Sequence, residues 1–363
     1  VYYNRNMFVK RLDWLLNFGI IFLFGAGLLS LASTAHKLFW LQLLWGAIGF
    51  GLIIFLGNFD WRPFINYKWF VGGIYAVSIL LLLVTYLVAP SVRGTRAWLP
   101  IGPLQFQTSE LAKFSLILIL SVFFAKRHIG IAYFKNIALS FLYFLVPAGL
   151  IILQPDMGTA IVLFGIWFGY LLVSGMRWKH IFFAMIFLII ILVFMWFNVL
   201  KDYQKERIIG LFNPEHDPLG INYSVIQAKI AVGSGGLWGK GFGQGTQSQL
   251  GFLPEAQTDF IFAAFIEEWG IFGGGAILLA FALMLFQIMR IGIQADNNFS
   301  KLLCLGTSIM FLLHFIFNVG SNLGLVPVVG VPFPFLSYGG SNLLVSALLI
   351  GMMQGTTIYK RLG

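Results

Sequence analysis

WLLNFGIIFLFGAGLLSLAS, running from Trp14 to Ser33, contains no charged side chain, and as a helix rising 1.5 Å per residue it crosses the roughly 30 Å of bilayer hydrocarbon. Nine further stretches read the same way, near 38–57, 68–89, 108–125, 136–154, 157–174, 180–200, 259–289, 302–322 and 339–357. None alternates polar and apolar residues as a membrane barrel would, so helices are left as the means of satisfying backbone groups in lipid. The expected fold is an all-α polytopic membrane protein with about ten transmembrane helices in a single domain over 1–363. The first span lacks a small-residue cleavage site and reads as a retained anchor.

Composition agrees. Hydrophobic residues are 59% of the 363 and charged residues 10%, against roughly 25% charged in a soluble domain, which excludes a water-soluble globule. A single cysteine, Cys304, rules out an intrachain disulfide, and the five histidines show no metal-ligand spacing. Arg62, Lys68, Lys126, Arg127, Lys135, Arg177, Lys179, Arg290 and Lys301 fall in alternate connections, which places those connections and both termini in the cytoplasm. The net charge of +10 is therefore mostly a topology signal and gives no footprint of a nucleic-acid partner. The outer connections are the long ones: 90–107, the loop 201–258 between helices 7 and 8, and the proline-rich 323–338. Long ordered loops are usually functional. Residues 223–232 can form a short amphipathic helix, and part of 201–258 is expected to lie in the interface or dip back into the bundle.

Ionisable groups in or beside spans are costly and point to function. Glu110 and Lys113 are neighbours on one face of span four and either neutralise each other or, with Arg93 and Arg96 upstream, form a cationic cluster suited to a lipid-linked phosphate or pyrophosphate. Asp259 sits at the outer start of span eight, as an N-cap or as a reactive carboxylate. Glu267, eight residues on, would return to nearly the same face about 12 Å deeper, giving an inward carboxylate stripe. Asp156 reads as a cap for span six or a site residue. Asn318, Asn322 and Tyr338 could line the same cavity or bond between helices, and His314 reads as an interhelical histidine. The glycine-rich 233–246 fails the P-loop spacing around Lys240 and suits tight turns or close backbone approach.

Taken together, the outer motifs resemble the shape, elongation, division and sporulation (SEDS) family of bacteria, closer to its RodA branch than to FtsW. They are Arg93-Gly94-Thr95-Arg96-Ala97-Trp98-Leu99, Gln107 to Lys113, Gln154-Pro155-Asp156-Met157-Gly158-Thr159, the run from Gln227 to Gly241, Leu253 to Phe260 with Glu267-Glu268, and Pro327 to Gly340, which includes Ser337 and Tyr338. The resemblance implies a peptidoglycan glycosyltransferase that polymerises lipid II at the outer face of the bacterial cytoplasmic membrane during elongation, together with a class B penicillin-binding protein. It implies Asp259 as the essential carboxylate, with Arg96, Trp98, Glu110 and Lys113 as site residues. Gln257 stands where many members have histidine, which weakens any mechanism needing an imidazole beside Asp259.

The chemistry expected is inverting transfer, with Asp259 as general base and cations or a divalent metal (Mg or Mn) meeting the leaving pyrophosphate. Arg96, Lys113, Arg207 and Lys240 are the candidate cations; Asp156, Glu267, Asn318, Ser337 and Tyr338 complete the expected substrate-binding set. A lipid II flippase is the competing reading and a scaffold the third. The outer concentration of charge argues against the flippase, and the costly Glu110, Lys113 and Asp259 argue against the scaffold.

Overall fold

The computed structural model describes residues 12–358 apart from Arg93, Pro103, 128–133, 174–181, 183–185, 187–189, 191–192, 194–195, 199 and 214–216. Helices α1 (Trp14–Thr34), α2 (His36–Gly57) and the short α3 (Arg62–Asn66) lead to α4 (Lys68–Val88). A two-stranded hairpin, β1 (Trp98–Ile101) and β2 (Leu104–Gln107), pairs antiparallel with Trp98 opposite Gln107. Then follow α5 (Thr108–Ala125), α6 (Phe134–Leu153), α7 (Met157–Val173), α8 (Asp202–Phe212), α9 (Tyr223–Ser234), α10 (Thr246–Gln249), α11 (Ile261–Gln294), α12 (Asn298–Leu323) and α13 (Gly340–Ile358). Seven of these are long and apolar enough to cross a membrane, and α7 and α13 are shorter apolar helices. The expected span 180–200 lies largely outside the described residues, as do Arg177 and Lys179.

Burial follows lipid as solvent. On α2, Trp40, Leu44, Ile54 and Phe55 are exposed while Gly46, Gly49 and Ile53 face protein. Helix α5 is the buried centre, with Leu116, Ile117, Leu120 and Phe124 fully enclosed. Helix ends are closed locally: the Asp13 side chain accepts from Leu16 N at 2.9 Å, Asn297 Oδ1 from Ser300 N at 2.7 Å, and α12 stops at Gly324 in the left-handed conformation.

The departure from expectation is α11. Gly270 has φ 70° and ψ −174°, which no L side chain adopts readily, and here the chain reverses. A Cβ built on Gly274 would stand 2.7 Å from Ile266 Cγ1 and 3.8 Å from Phe262 Cε2. In a straight helix, Phe262 would be about 18 Å away. Residues 261–269 therefore fold back on 271–294 as a rising half beside a descending half. Their direction is fixed by α12, which rises outward: Asn318 and Asn322 donate to the Asp259 carbonyl at 3.2 and 2.7 Å, and Asn322 Oδ1 accepts from Ala263 N at 2.9 Å. Glu268 meets Ser33 at the outer end of α1, whereas the Leu336 carbonyl beside the 258–259 level packs on Gly27, lower on the same helix.

The expected inward carboxylate stripe is thus inverted. Glu267 lies nearer the outer end of the bundle than Asp259, because the reversal at Gly270 was invisible in a continuous apolar run. The glycine-rich loop satisfies the backbone groups that the reversal frees. Lys240 N and Gly241 N donate to the carbonyls of Glu267 and Glu268 at 2.9 and 3.0 Å, and Ile271 N and Phe272 N donate to Gly236 and Leu237 at 2.9 and 3.2 Å.

Candidate functional site

Asp259 is not a helix cap. The N-cap of α11 is Phe260, which makes no side-chain cap bond, and the first-turn Ala263 N is taken by Asn322 Oδ1 of α12, so the expected N-cap role is not taken by Asp259. Instead the main chain around Asp259 is clamped from both sides. Besides the two asparagines on its carbonyl, Ser337 Oγ donates to Thr258 O at 2.7 Å and Tyr338 N to Gln257 O at 2.9 Å. Asn318 Nδ2 also donates to Val331 O at 3.0 Å, tying the proline-rich loop to the same amide. A Cβ at Gly330 would stand 3.8 Å from Asp259 Oδ2, so the half-buried carboxylate lies against a stretch of backbone without a side chain. Glu255 and Phe335, one in each clamped loop, have φ of 52° and 62°. Such left-handed non-glycine residues cost about 1–3 kcal/mol each and cluster where a site is held in shape.

A second cluster surrounds the N-terminal turns of α5. Lys113 Nζ lies 2.7 Å from Glu110 Oε1 and 3.0 Å from His314 Nε2, and Asn342 Nδ2 donates to Glu110 Oε2 at 3.2 Å. All four side chains are buried, joining α5, α12 and α13. The ion pair that spacing suggested exists, and it is enclosed; Lys113 is already partnered. Arg93 lies outside the described residues. Asp156 stands close enough to feel both Lys113 and Glu110, and caps α7 by accepting from Thr159 N at 3.1 Å and Thr159 Oγ1 at 2.8 Å. Burial pushes the Asp156 carboxyl up, against the Thr159 bonds and Lys113, which pull it down.

Arg96 and Trp98 belong to the neighbourhood of this cluster. Arg96 N donates to Gln154 O at 3.2 Å with its side chain exposed, and Gln107 N, opposite Trp98, donates to Ser341 Oγ at 3.0 Å. The loop 329–332 bridges the two clusters, since Val329 packs on Gly158 of α7 while Gly330 faces Asp259. The side chain of Tyr338 is half-buried, and burial raises its phenol, which therefore stays a hydrogen-bond donor at neutral pH.

Lys240 and Glu267 form a third, separate group. Glu267 accepts from Lys240 Nζ at 2.8 Å, Thr246 Oγ1 at 3.1 Å, Gln247 N at 2.8 Å, Ser248 N at 3.1 Å and Ser248 Oγ at 3.0 Å. Both its oxygens hold the loop around α10. Its neighbour Glu268 bonds Ser33 of α1 and Gln249.

Two site residues escaped the sequence reading. Gln42, buried on α2, donates to Ser337 O at 3.3 Å and accepts from Gly339 N at 3.3 Å, bracketing the loop that clamps Asp259. Asn342 completes the Glu110 network. Both are amides in apolar spans. The signal was the cost of burying an unpaired amide, which applies to Gln and Asn as it does to ionised groups.

A family described as cell cycle protein, that of FtsW, RodA and SpoVE, matches residues 5–361. The chain is 36% identical over 320 residues to the peptidoglycan glycosyltransferase MrdB of Escherichia coli K12, covering 87% of this chain and 85% of that one. Among solved structures, it superposes with TM-score 0.81 and 31% identity on a chain of a peptidoglycan synthase complex studied for the coordination of polymerization and crosslinking, covering 96% and 98% of the two chains. It also superposes on the rod shape determining protein RodA of Thermus thermophilus with TM-score 0.69 and 28% identity, covering 97% and 98%.

Proposed function

The chain belongs to the cell cycle protein family of FtsW, RodA and SpoVE and is a multi-pass inner-membrane peptidoglycan glycosyltransferase, and from that premise we propose that it polymerises lipid II with Asp259 as general base. The 4-hydroxyl of the acceptor sugar attacks the anomeric carbon of the donor. The new bond forms as the bond to the lipid pyrophosphate breaks, the electron pair leaves with the pyrophosphate, and the hydroxyl proton passes to Asp259. An α-linked donor and a β-linked product make this a single inverting displacement, without a sugar bound to the protein.

The observation that supports this role is the clamp on Asp259. Four hydrogen bonds fix the backbone of 257–259, and the N-cap position of α11 belongs to the next residue, Phe260. Preorganisation of this kind is what a proton acceptor needs, since it must stand about 3 Å from the hydroxyl at the moment of attack. The exposed Arg96 meets the leaving pyrophosphate, with Lys113 below it partly neutralised by Glu110. Trp98, half-buried, offers an apolar ring face to a sugar. Among the described residues no three of His, Cys, Asp and Glu stand together so as to hold a metal ion. A divalent cation would arrive on the pyrophosphate, as Mg²⁺ commonly does.

By the same likeness to a synthase complex, a class B penicillin-binding protein is the proposed partner that crosslinks the strands. The test is polymerisation of lipid II by the purified protein with its partner, comparing wild type with Asp259→Asn and Asp259→Ala. Both variants should remain folded and partner-bound yet lose about 10²-fold or more in rate. Wild-type rates from Asp259→Asn would remove the base from Asp259. Movement of labelled lipid across vesicles without polymer would establish the flippase instead.

A further inference from the structure

On the outer side, α8, α9 and the 324–328 turn line a shallow, open groove. Its walls are apolar, formed by Leu211, Val225, Ile226 and Val326, and two cations stand on it, Arg207 and Lys229. Arg207 is held in place: Nη1 donates to Val328 O at 2.9 Å, and the guanidinium lies 5.8 Å from the Tyr203 ring. The stem of Lys229 crosses Gly324, where any side chain would collide with it. Gly210 likewise leaves room for the buried Asn222 amide.

The loop 201–258 carries five acidic residues and five lysines and arginines, and two of those five cations, Arg207 and Lys229, stand together on the groove. Its position is specific. Val328, which Arg207 holds, is two residues from Gly330, which faces Asp259. Gly324 tops α12 two residues beyond Asn322 and six beyond Asn318, which both hold the Asp259 carbonyl, so the groove opens about 3–9 Å outward of it along the helix.

We propose that this groove binds the acidic stem peptide of the muropeptide, its carboxylates on Arg207 and Lys229 and its alanine methyls on the apolar wall. The inference rests on the glycosyltransferase reading, because that reaction brings a peptide-bearing muramyl sugar to Asp259. The peptide hangs from the sugar whose anomeric carbon reacts, so it must lie within one sugar's reach of that carboxylate. The groove is a cationic, partly apolar surface at that reach.

The experiment measures KM and kcat of polymerisation for wild type, Arg207→Gln, Lys229→Gln and the double variant, with lipid II carrying either free or amidated stem-peptide carboxylates. Lys205→Gln on α8 is the control. With the free acid, the double variant should raise KM about fivefold with little change in kcat, as expected for two solvent-accessible charge pairs. With the amidated substrate, wild type and double variant should agree within about twofold. Equal losses on both substrates would overturn the proposal, assigning the cations to the pyrophosphate or to the fold. So would normal kinetics without the partner and lost stimulation with it, which would make the groove a protein-docking surface. Wild-type protein that fails to polymerise either substrate would strike at the glycosyltransferase reading itself, an outcome separate from the other two.

Discussion

Lys113 shows how a charge can be inserted into a helical bundle. Its ammonium touches the Glu110 carboxylate and the His314 ring, and Asn342 takes the remaining carboxylate oxygen. Removing one partner strands the other in low dielectric, whereas replacing both removes the desolvation cost along with the attraction. Lys113→Met alone should therefore destabilise the protein by about 3–5 kcal/mol, while Glu110→Gln with Lys113→Met should recover most of that loss, because glutamine still accepts from Asn342. Thermal unfolding in detergent distinguishes the two; equal destabilisation by the single and double variants would show that the charges do not depend on each other. Spacing of three residues was enough to foresee the ion pair. It could not foresee His314 and Asn342, which are brought in from α12 and α13, 201 and 232 residues away in sequence.

At the scale of elements, the reversal in α11 is what the sequence concealed. Hydropathy counts apolar residues and is blind to direction, so 261–294 reads as one span although it contains a rising and a descending half. The clue was present as Gly270, but glycines at 273, 274 and 275 follow it and none is marked out by composition. Gly270→Ala should be severe. The substituted residue would occupy a left-handed conformation, and its Cβ would overlap the Leu237 carbonyl and Gly239 N, prising the loop from the four hydrogen bonds that close the turn. A loss above about 2 kcal/mol is expected, read as new proteolytic cleavage within 235–249 in detergent. Unchanged cleavage would mean that the reversal survives a side chain. The glycine-rich loop was legible as a place of close backbone approach.

For the molecule as a whole, lipid as solvent made the architecture readable, because long uncharged runs leave few alternatives in a bilayer. Of the candidate site, the sequence marked Asp259, Glu110 and Lys113 as places where charge is costly, but their surroundings depend on loops that fold back into the bundle. One consequence reaches global stability. Asp156 binds its proton more tightly in the folded protein than in the unfolded chain, since burial raises its carboxyl. Its protonated form thus contributes stability that is fully present below the ordinary carboxylate value and lost as pH rises through the raised folded value. Melting temperature should fall across that window, and Asp156→Asn should flatten this part of the profile while keeping one acceptor for Thr159. An identical pH profile in the variant would show that another group governs the transition.

The reversal at Gly270 also has a history in time. By length and composition 261–294 is a single apolar segment long enough to cross a bilayer, although in the folded chain its first nine residues run back toward Gly270. The backbone that receives them, 236–241, is earlier in the chain and has already crossed to the outer side. Synthesis therefore delivers the receptor before the segment it receives.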